Sequence, residues 1–409
     1  MKVSEILTES RKAFPSLEIV PPLRGITKKE LIESIAPFME FSPKYINVTS
    51  HRDEYEYTEQ PDGSFSRRLI RNRINETTVC SAIMSEYDIE VVPHLICGGN
   101  TREEIESRLD NLEFLGINNI VALRGDSTVG EKRFTPTPGG YRYASELVEG
   151  IRSYQGSGTY RRNRIDSQPA ADSQAESAPL TDRYFCIGVG GYPEKHFEAA
   201  NIETDIANLK RKVDAGAEHL VSQLFFDNGI FYDYLYKVRE AGIAVPVIPG
   251  IMPVTNAKQM ERSIEMSGSF IPRHFKALLE RFGNNDAAMK QAGIAYATEQ
   301  IIDLYANGVK NVHVYTMNNP EVAEKIMANV KKKLKKIGRQ IWELFKGSVI
   351  KSVTYFFHKC VIEVQIMLHR KSACKLLSRL EKVTDICTAE ITAGRTITFG
   401  VKGTVVRFV

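Results

Sequence analysis

The chain has no apolar run near the roughly 20 residues that a bilayer-crossing helix needs, so no membrane partner is expected. Cysteine is scarce: six in 409 residues, at 80, 97, 186, 360, 374 and 387, with no CxxC pair. That spacing suits reduced thiols in a cytoplasm better than a disulfide framework or a zinc site. The opening Met1-Lys2-Val3-Ser4-Glu5-Ile6 has no h-region, so no secretory signal is expected and the sequons at Asn47 and Asn75 carry no weight. GxGxxG is also missing. Gly188-Val189-Gly190-Gly191-Tyr192-Pro193-Glu194-Lys195-His196 is glycine-rich but lacks the acidic residue at the ribose-binding distance of a Rossmann unit. No second His or Cys stands at ligand spacing from His94, so no metal is expected.

What is present is a globular composition, 43% hydrophobic and 25% charged, with length enough for one large domain or a large and a small one. The net charge of +4 is unevenly spread. Residues 331–409 hold 17 Lys/Arg against 5 Asp/Glu, which leaves the rest of the chain at −8. This step separates a main domain, 1–336, from a basic extension, 337–409. The extension begins after the run Lys331-Lys332-Lys333-Leu334-Lys335-Lys336 and continues with a helix-like Lys371–Val383 and β-like pieces at 391–393 and 396–399. It reads as a small α+β appendage or a poorly ordered tail, and its charge allows weak contact with an acidic partner or nucleic acid. Residues 155–180 are polar and read as a mobile insertion.

Residues 1–336 alternate between two periods. Short runs rich in Val, Ile and Phe predict strands at 17–22, 45–50, 90–97, 119–126, 184–192, 219–226, 246–252 and 311–317. Helical spacing fills the gaps: 28–40, 69–86, 101–116, 141–154, 202–216, 229–241, a long region 256–308, and 320–336. Thr27, Thr101 and Asn201 carry N-cap signals. Eight alternations predict an α/β fold, a (β/α)8 TIM barrel, over its rival, a doubly wound open sheet.

A barrel keeps its chemistry at the carboxyl ends of its strands. Glu18 sits there, within apolar Leu17-Glu18-Ile19-Val20-Pro21-Pro22. Its chain neighbours desolvate it, so its pKa is expected to rise, which suits a general acid; a buried acid paired with a barrel Arg or Lys is the structural alternative. Leu123-Arg124-Gly125-Asp126 closes the fourth strand, where Gly125 lets a ligand approach the backbone and Asp126 either acts on it or starts a turn. His94 ends the third strand, and the glycines at 188–191 leave room for a large planar ligand. On the helix from Ile202, the residues Ile202, Ile206, Leu209 and Val213 form an inward stripe. Asp205, Asn208 and Lys212 form a second stripe about 100° away, fit for a ribose and a diphosphate or for a solvated face. Gln223 is an amide in an apolar strand and asks for a partner with both donor and acceptor groups.

Nine segments in order, within residues 14–330, resemble the methylenetetrahydrofolate reductase family. They include Leu17-Glu18-Ile19-Val20-Pro21-Pro22, Ala122-Leu123-Arg124-Gly125-Asp126, Tyr192-Pro193-Glu194-Lys195-His196, Gln223-Leu224-Phe225-Phe226-Asp227 and Val314-Tyr315-Thr316-Met317-Asn318. The resemblance implies a TIM barrel holding FAD, with NADH or NADPH and a folate using one site in turn, in a homo-oligomer. It implies that Glu18 protonates the folate, that Asp126 lies near the flavin and the pterin, and that Gln223 and Tyr315 meet substrate. It further implies FAD contacts at Thr49, His94, Arg124, Gly125, Asp126, Tyr143, Ala144, Tyr192, His196, Asp205, Asn208 and Lys212. Two positions depart from the family's pattern: Ala257 where an aromatic is often found, and Asn319 where Arg is common. The short basic tail does not resemble the regulatory domain of eukaryotic members. Two other readings remain: a phosphate-binding lyase or aldolase, which wants a Schiff-base Lys that the strands do not show, and a non-catalytic barrel whose basic tail recruits nucleic acid or another acidic partner.

Overall fold

The computed structural model describes residues 1–10, 12–127, 133–156, 184–345, 387–392, 396–401 and 404–408. The chain falls into two compact units, 1–339 and 340–409.

In the first unit the apolar runs become short parallel strands: β1 (Phe14–Ile19), β2 (Tyr45–Val48), β5 (Glu90–Ile96), β6 (Asn119–Leu123), β7 (Cys186–Gly191), β8 (His219–Leu224), β9 (Val247–Ile251) and β10 (Asn311–Tyr315). They close in the order β1-β10-β9-β8-β7-β6-β5-β2. This is a (β/α)8 barrel. Leu17, Ile19, Ile46 and Val48 point outward and are buried under the helices; burial on both faces explains the near-continuous apolar runs. Helices α2 (Lys28–Met39), α3 (Glu76–Glu86), α4 (Arg102–Phe114), α5 (Ala144–Gly156), α6 (Ile202–Asp214) and α7 (Asn228–Glu240) follow strands in turn. The expected caps are in place. Thr27 and Thr101 close capping boxes with Glu30 and Glu104, and Asn201 accepts from Thr204 N–H. On α6, Ile206 and Leu209 are buried, with Ile202 and Val213 packed beside them.

Three local expectations change. First, the helix expected over 69–86 starts only at Glu76, capped by Asn75. Before it lies an antiparallel hairpin, β3 (Glu54–Glu59) with β4 (Phe65–Ile70), turning through Asp62-Gly63, where Gly63 takes φ +79°. Second, the region 256–308 divides into α8 (Ala257–Ser267), α9 (Arg273–Phe282) and α10 (Asp286–Ala306). Gly268 ends the first in a left-handed cap, and Pro272 and Gly283 punctuate the rest. These helices cover a separate apolar cluster containing Phe226, Met252, Val254, Phe275 and Met289. Third, α11 runs from Pro320 to Phe345, beyond the expected end at 336.

A short helix, α1 (Val3–Glu9), covers the amino-terminal end of the barrel. Val3 and Ile6 pack with Phe14, Tyr45, Val92, Val121 and Cys186 inside the barrel. Asn119 ties it down, accepting from Val3 N–H at 2.7 Å and donating to Met1 O at 2.9 Å. Two buried aliphatic side chains contribute about 3–6 kcal/mol. That outweighs the marginal stability of an isolated seven-residue helix.

In the second unit, β11 (Cys387–Thr392), β12 (Thr396–Val401) and β13 (Thr404–Phe408) form an antiparallel sheet in that order. The expected helix at 371–383 and nearly all of the 155–180 insertion lie outside the described residues. Among the described residues no helix is long and apolar enough to cross a membrane.

Candidate functional site

Strand alternation puts Ser16 and Glu18 of β1 on one side, and the register pairs Glu18 with Asn47 of β2 and Tyr315 of β10. The Glu18 carboxylate meets two histidines from nearby strands, His313 of the adjacent β10 and His94 of β5, one strand beyond β2. Its Oε2 lies 3.7 Å from His94 Nε2 and 3.5 Å from His313 Nε2. The glutamate side chain is 16% exposed and His313 is wholly buried. Asn47 Nδ2 stands 3.3 Å from His94 Nε2, while its Oδ1 is buried with no hydrogen-bond partner. Thr316 Oγ1 donates to Glu18 O at 2.6 Å. Met317 and Asn318 follow with φ of +48° and +55°. Asn318 holds that strained turn by accepting from Val20 N and donating to Val20 O, both at 2.8 Å.

The electrostatics reverse one expectation. Burial pushes the Glu18 carboxyl up, but a contact with His313 and the charges of His94, His313 and His51 outweigh it, so the net direction is down. The chain neighbours of Glu18 are apolar; its opposing partners arrive from other strands. His94 is itself pushed down to about 4 by burial and is neutral near pH 7. The support for an ionised Glu18 at neutral pH therefore rests first on His313.

These buried histidines predict acid lability. Burial also pushes His219, on β8, down to about 3 from an ordinary 6.5. Between those values the unfolded chain takes up the proton and the folded chain does not, so stability is full above pH 6.5 and is lost as pH falls below it. Each pH unit costs about 1.4 kcal/mol per such histidine. The urea midpoint is expected to fall steadily from pH 6.5 to 4.5, and less steeply in His219→Gln. A flat midpoint over that range is the contrary result.

The other side of the mouth is cationic. The Arg124 guanidinium pairs with Glu198, lies 3.5 Å from His196 Nε2 and sits 4.9 Å over the Phe134 ring. His196 N–H donates to Asp205 Oδ2 at 3.2 Å, and the His196 ring packs edge-on against Tyr192. Lys212 Nζ donates to Gly190 O at 2.9 Å and lies 5.7 Å from the Tyr192 ring centre. Burial pushes that ammonium down to about 8 despite the nearby Asp205 carboxylate. Beside these groups is a groove of about 570 Å³ lined by Arg124, Arg133, Arg142, Phe134, Pro136, Tyr143, Phe197 and Glu198.

The three glycines of β7 play different parts. A Cβ on Gly188 would meet His219 Nε2 at 2.3 Å, and one on Gly191 would meet Tyr234 Oη at 2.3 Å. Protein packing requires both. At Gly190 a Cβ would meet nothing nearer than Leu123 Cδ2, at 3.4 Å. Packing does not require a glycine there, and Gly190 is part-exposed at the mouth. The planar-ligand explanation thus narrows from the whole run to one residue.

The family model described as methylenetetrahydrofolate reductase matches residues 2–331. The chain belongs to the methylenetetrahydrofolate reductase family. Methylenetetrahydrofolate reductase (NADH) 1 of Arabidopsis thaliana is 31% identical over 338 residues, covering 80% of this chain and 50% of its own length. Methylenetetrahydrofolate reductase 1 of Schizosaccharomyces pombe is 32% identical over 331 residues, covering 80% and 48%. The 5,10-methylenetetrahydrofolate reductase of Salmonella typhimurium is 31% identical over 308 residues, covering 75% and 87%. The chain thus spans about half the length of the plant and fission-yeast relatives and most of the bacterial one.

Within this reductase-family barrel the residues singled out from the sequence gather unevenly. Glu18, His94, Arg124, Tyr192, His196, Asp205, Lys212 and Tyr315 border the mouth. Thr49 follows β2, its N–H bonded to Ile19 O at 3.0 Å. Gly125, at φ +82°, turns the chain after β6, and Asp126 stands exposed beyond it. Its charge reaches His51 and Tyr192. Tyr143 is 52% exposed on the rim of the groove, and Ala144 opens α5. Asn208 Oδ1 accepts from Arg211 on the same helix. Gln223 turns its Oε1 onto Leu224 N–H, and Tyr315 Oη donates to Ser222 O at 2.6 Å. Asn319 Oδ1 accepts from Val322 N–H in the first turn of α11. Ser16, Asn47, His51, Glu198 and His313 were not anticipated. Alternation in Asn311-Val312-His313-Val314-Tyr315 puts His313 on the face of Tyr315, which was the available signal. No barrel strand carries a lysine.

Proposed function

We propose that the chain reduces 5,10-methylenetetrahydrofolate to 5-methyltetrahydrofolate, with NADH or NADPH as donor and FAD as carrier. The substrates use the barrel mouth in turn, in a one-carbon pathway feeding methionine synthesis. One observation carries this reading: in a barrel of this family, the Glu18 carboxylate faces two histidines at the mouth, 3.5 and 3.7 Å away.

The residues present fit FAD. Arg124, Arg142 and Lys212 offer cations for a diphosphate, Tyr143 and Phe197 offer exposed ring faces for a base, and Gly190 leaves backbone open to a flat ring. Bound there, FAD would accept hydride from the nicotinamide and pass it to the folate. The remaining work falls to the chain. Glu18 supplies the proton that opens the folate's imidazolidine ring. A ligand covering the mouth removes water from this part-exposed carboxyl, which raises its pKa toward a working acid. Asp126, Gln223 and Tyr315 orient whichever substrate is present. Lys212 and Asp205 hold the α6 side of the cofactor in place.

The purified protein is expected to be yellow, bleached by anaerobic NADH or NADPH and recoloured by methylenetetrahydrofolate. Material that stays colourless after incubation with FAD overturns the reading. Gly190→Ala sharpens the test. It should keep the wild-type melting temperature yet lose most of its flavin, because the new methyl has room in the protein but lies in the ligand's place. Full flavin content in that variant would move the cofactor's seat elsewhere.

A further inference from the structure

We infer that Arg52 and Arg73 form the seat for the two carboxylates at the glutamate end of the folate, on the β1–β2 side of the mouth. This rests on the reaction proposed above and adds a binding subsite to it.

The rim on that side is built from three loops. Asn318, after β10, accepts from Val20 N–H and donates to Val20 O. The loop that leaves β1 is laced in turn to residues 72–74, which return from the β3–β4 hairpin. Arg24 N–H donates to Asn72 O at 2.9 Å, Ile74 N–H to Pro22 O at 3.0 Å, and Arg73 Nη1 to Pro21 O at 2.7 Å. These bonds hold the Arg73 guanidinium beside the end of β1, the strand that carries Glu18. Its charge reaches His51, which also feels Glu18 and Asp126. Arg52 follows His51 in the loop after β2 and crosses toward the end of β5. Its stem lies over Gly99, where a Cβ would meet Arg52 Cγ at 3.0 Å.

What singles out these two cations is their want of an anion. Nearby arginines are matched: Arg71 pairs with Asp53 at 2.8 Å, and Arg68 of β4 stands in register with Glu56 of β3. Arg124, after β6, pairs with Glu198. Among the described residues neither Arg52 nor Arg73 forms an ion pair with a carboxylate. Arg52 Nη1 is buried with no hydrogen-bond partner. A guanidinium stays charged at any working pH, and a buried donor left unpaired is costly. Because Nη1 is bonded to nothing, turning it toward a ligand breaks no bond. Both residues are part-exposed, and the planar fork of an arginine matches a carboxylate in two-point contact.

The chemistry of the substrate selects the occupant. With the pterin end at Glu18, the p-aminobenzoyl-glutamate end leaves the mouth along one wall. The β6–β7 wall gives its cations to the flavin diphosphate. Unmatched positive charge remains on the β1–β2 wall, and the folate ends in a dicarboxylate. The phosphates of the nicotinamide donor share this anionic character, and the test separates the two.

The test uses the full-length flavin-loaded protein with two substrates: methylenetetrahydrofolate, and methylenetetrahydropteroate, which lacks the glutamate. The wild type should show a KM about tenfold or more higher for the pteroate, the scale of a charge-assisted hydrogen bond. In Arg52→Gln and in Arg73→Gln the KM for the folate should rise toward that of the pteroate, while the KM for the pteroate stays where it was. Lysine at either position should restore part of the difference, since the charge returns without the fork. Raising NaCl from about 0.05 M to about 0.5 M should narrow the wild-type difference, a readout that needs no variant. Equal KM values for the two compounds in the wild type overturn the proposal. So does a variant that raises both KM values alike, which marks a structural arginine. So does one that raises the KM for NADH or NADPH instead, which gives the seat to the donor's phosphates. If neither compound reoxidises the reduced flavin, the proposed reaction itself fails and takes the seat with it.

Discussion

Glu18→Gln is expected to bind flavin and accept hydride from NADH or NADPH at the wild-type rate, yet to reduce methylenetetrahydrofolate at least about a hundredfold more slowly, the usual scale for removing a general acid. The amide keeps the shape of the carboxyl and can still meet His94 and His313, so the barrel mouth should stay intact. What it loses is the exchangeable acidic proton. Anaerobic stopped-flow separates the half-reactions: flavin bleaching reports the first, recovery of flavin absorbance with folate the second. Equal slowing of both would make Glu18 a structural residue. Unchanged recovery would remove it from the chemistry altogether.

Gly293→Ala is expected to destabilise the barrel by about 2 kcal/mol or more. Gly293 lies within α10, where alanine alone would gain about 1 kcal/mol in helix propensity. Here the gain is overwhelmed. A Cβ at this position would fall 1.7 Å from Val254 O and 2.8 Å from Val254 C. Both are backbone atoms of the segment that leaves β9, so no side chain can swing aside. Relief requires the helix or the strand end to move, and overpacking of this kind costs 1–3 kcal/mol, occasionally more. Thermal or urea unfolding reads the outcome directly. A melting temperature equal to the wild type would mean that α10 does not cross this strand end as closely as described.

The parts of this architecture that depend on neighbours along the chain were legible. Apolar runs of strand length alternating with helical spacing gave the barrel, and Thr27, Thr101 and Asn201 marked helix starts because a cap is a local bond. The β3–β4 hairpin was not expected although Asp62-Gly63 carries its turn chemistry: its strands, Glu54–Glu59 and Phe65–Ile70, are largely polar and show no apolar run, and the helix expected at 69–86 overlaps only the last two residues of β4. Between neighbouring strands, local reading failed. Ser16 and His313 are 297 residues apart in sequence and 3.1 Å apart in space. Nothing in Leu17-Glu18-Ile19 announces the imidazoles opposite, so a pKa read from those apolar neighbours pointed up when the assembled site points down. Helical spacing grouped Asn208 with Asp205 and Lys212; that Arg211 also donates to the Asn208 carbonyl is a side-chain contact that spacing does not show.

Helix α1 stoppers the far end of the barrel with Val3 and Ile6. The seven residues of this plug seal the side of the barrel away from Glu18, so the reaction proposed here would be fed through the carboxyl-end mouth.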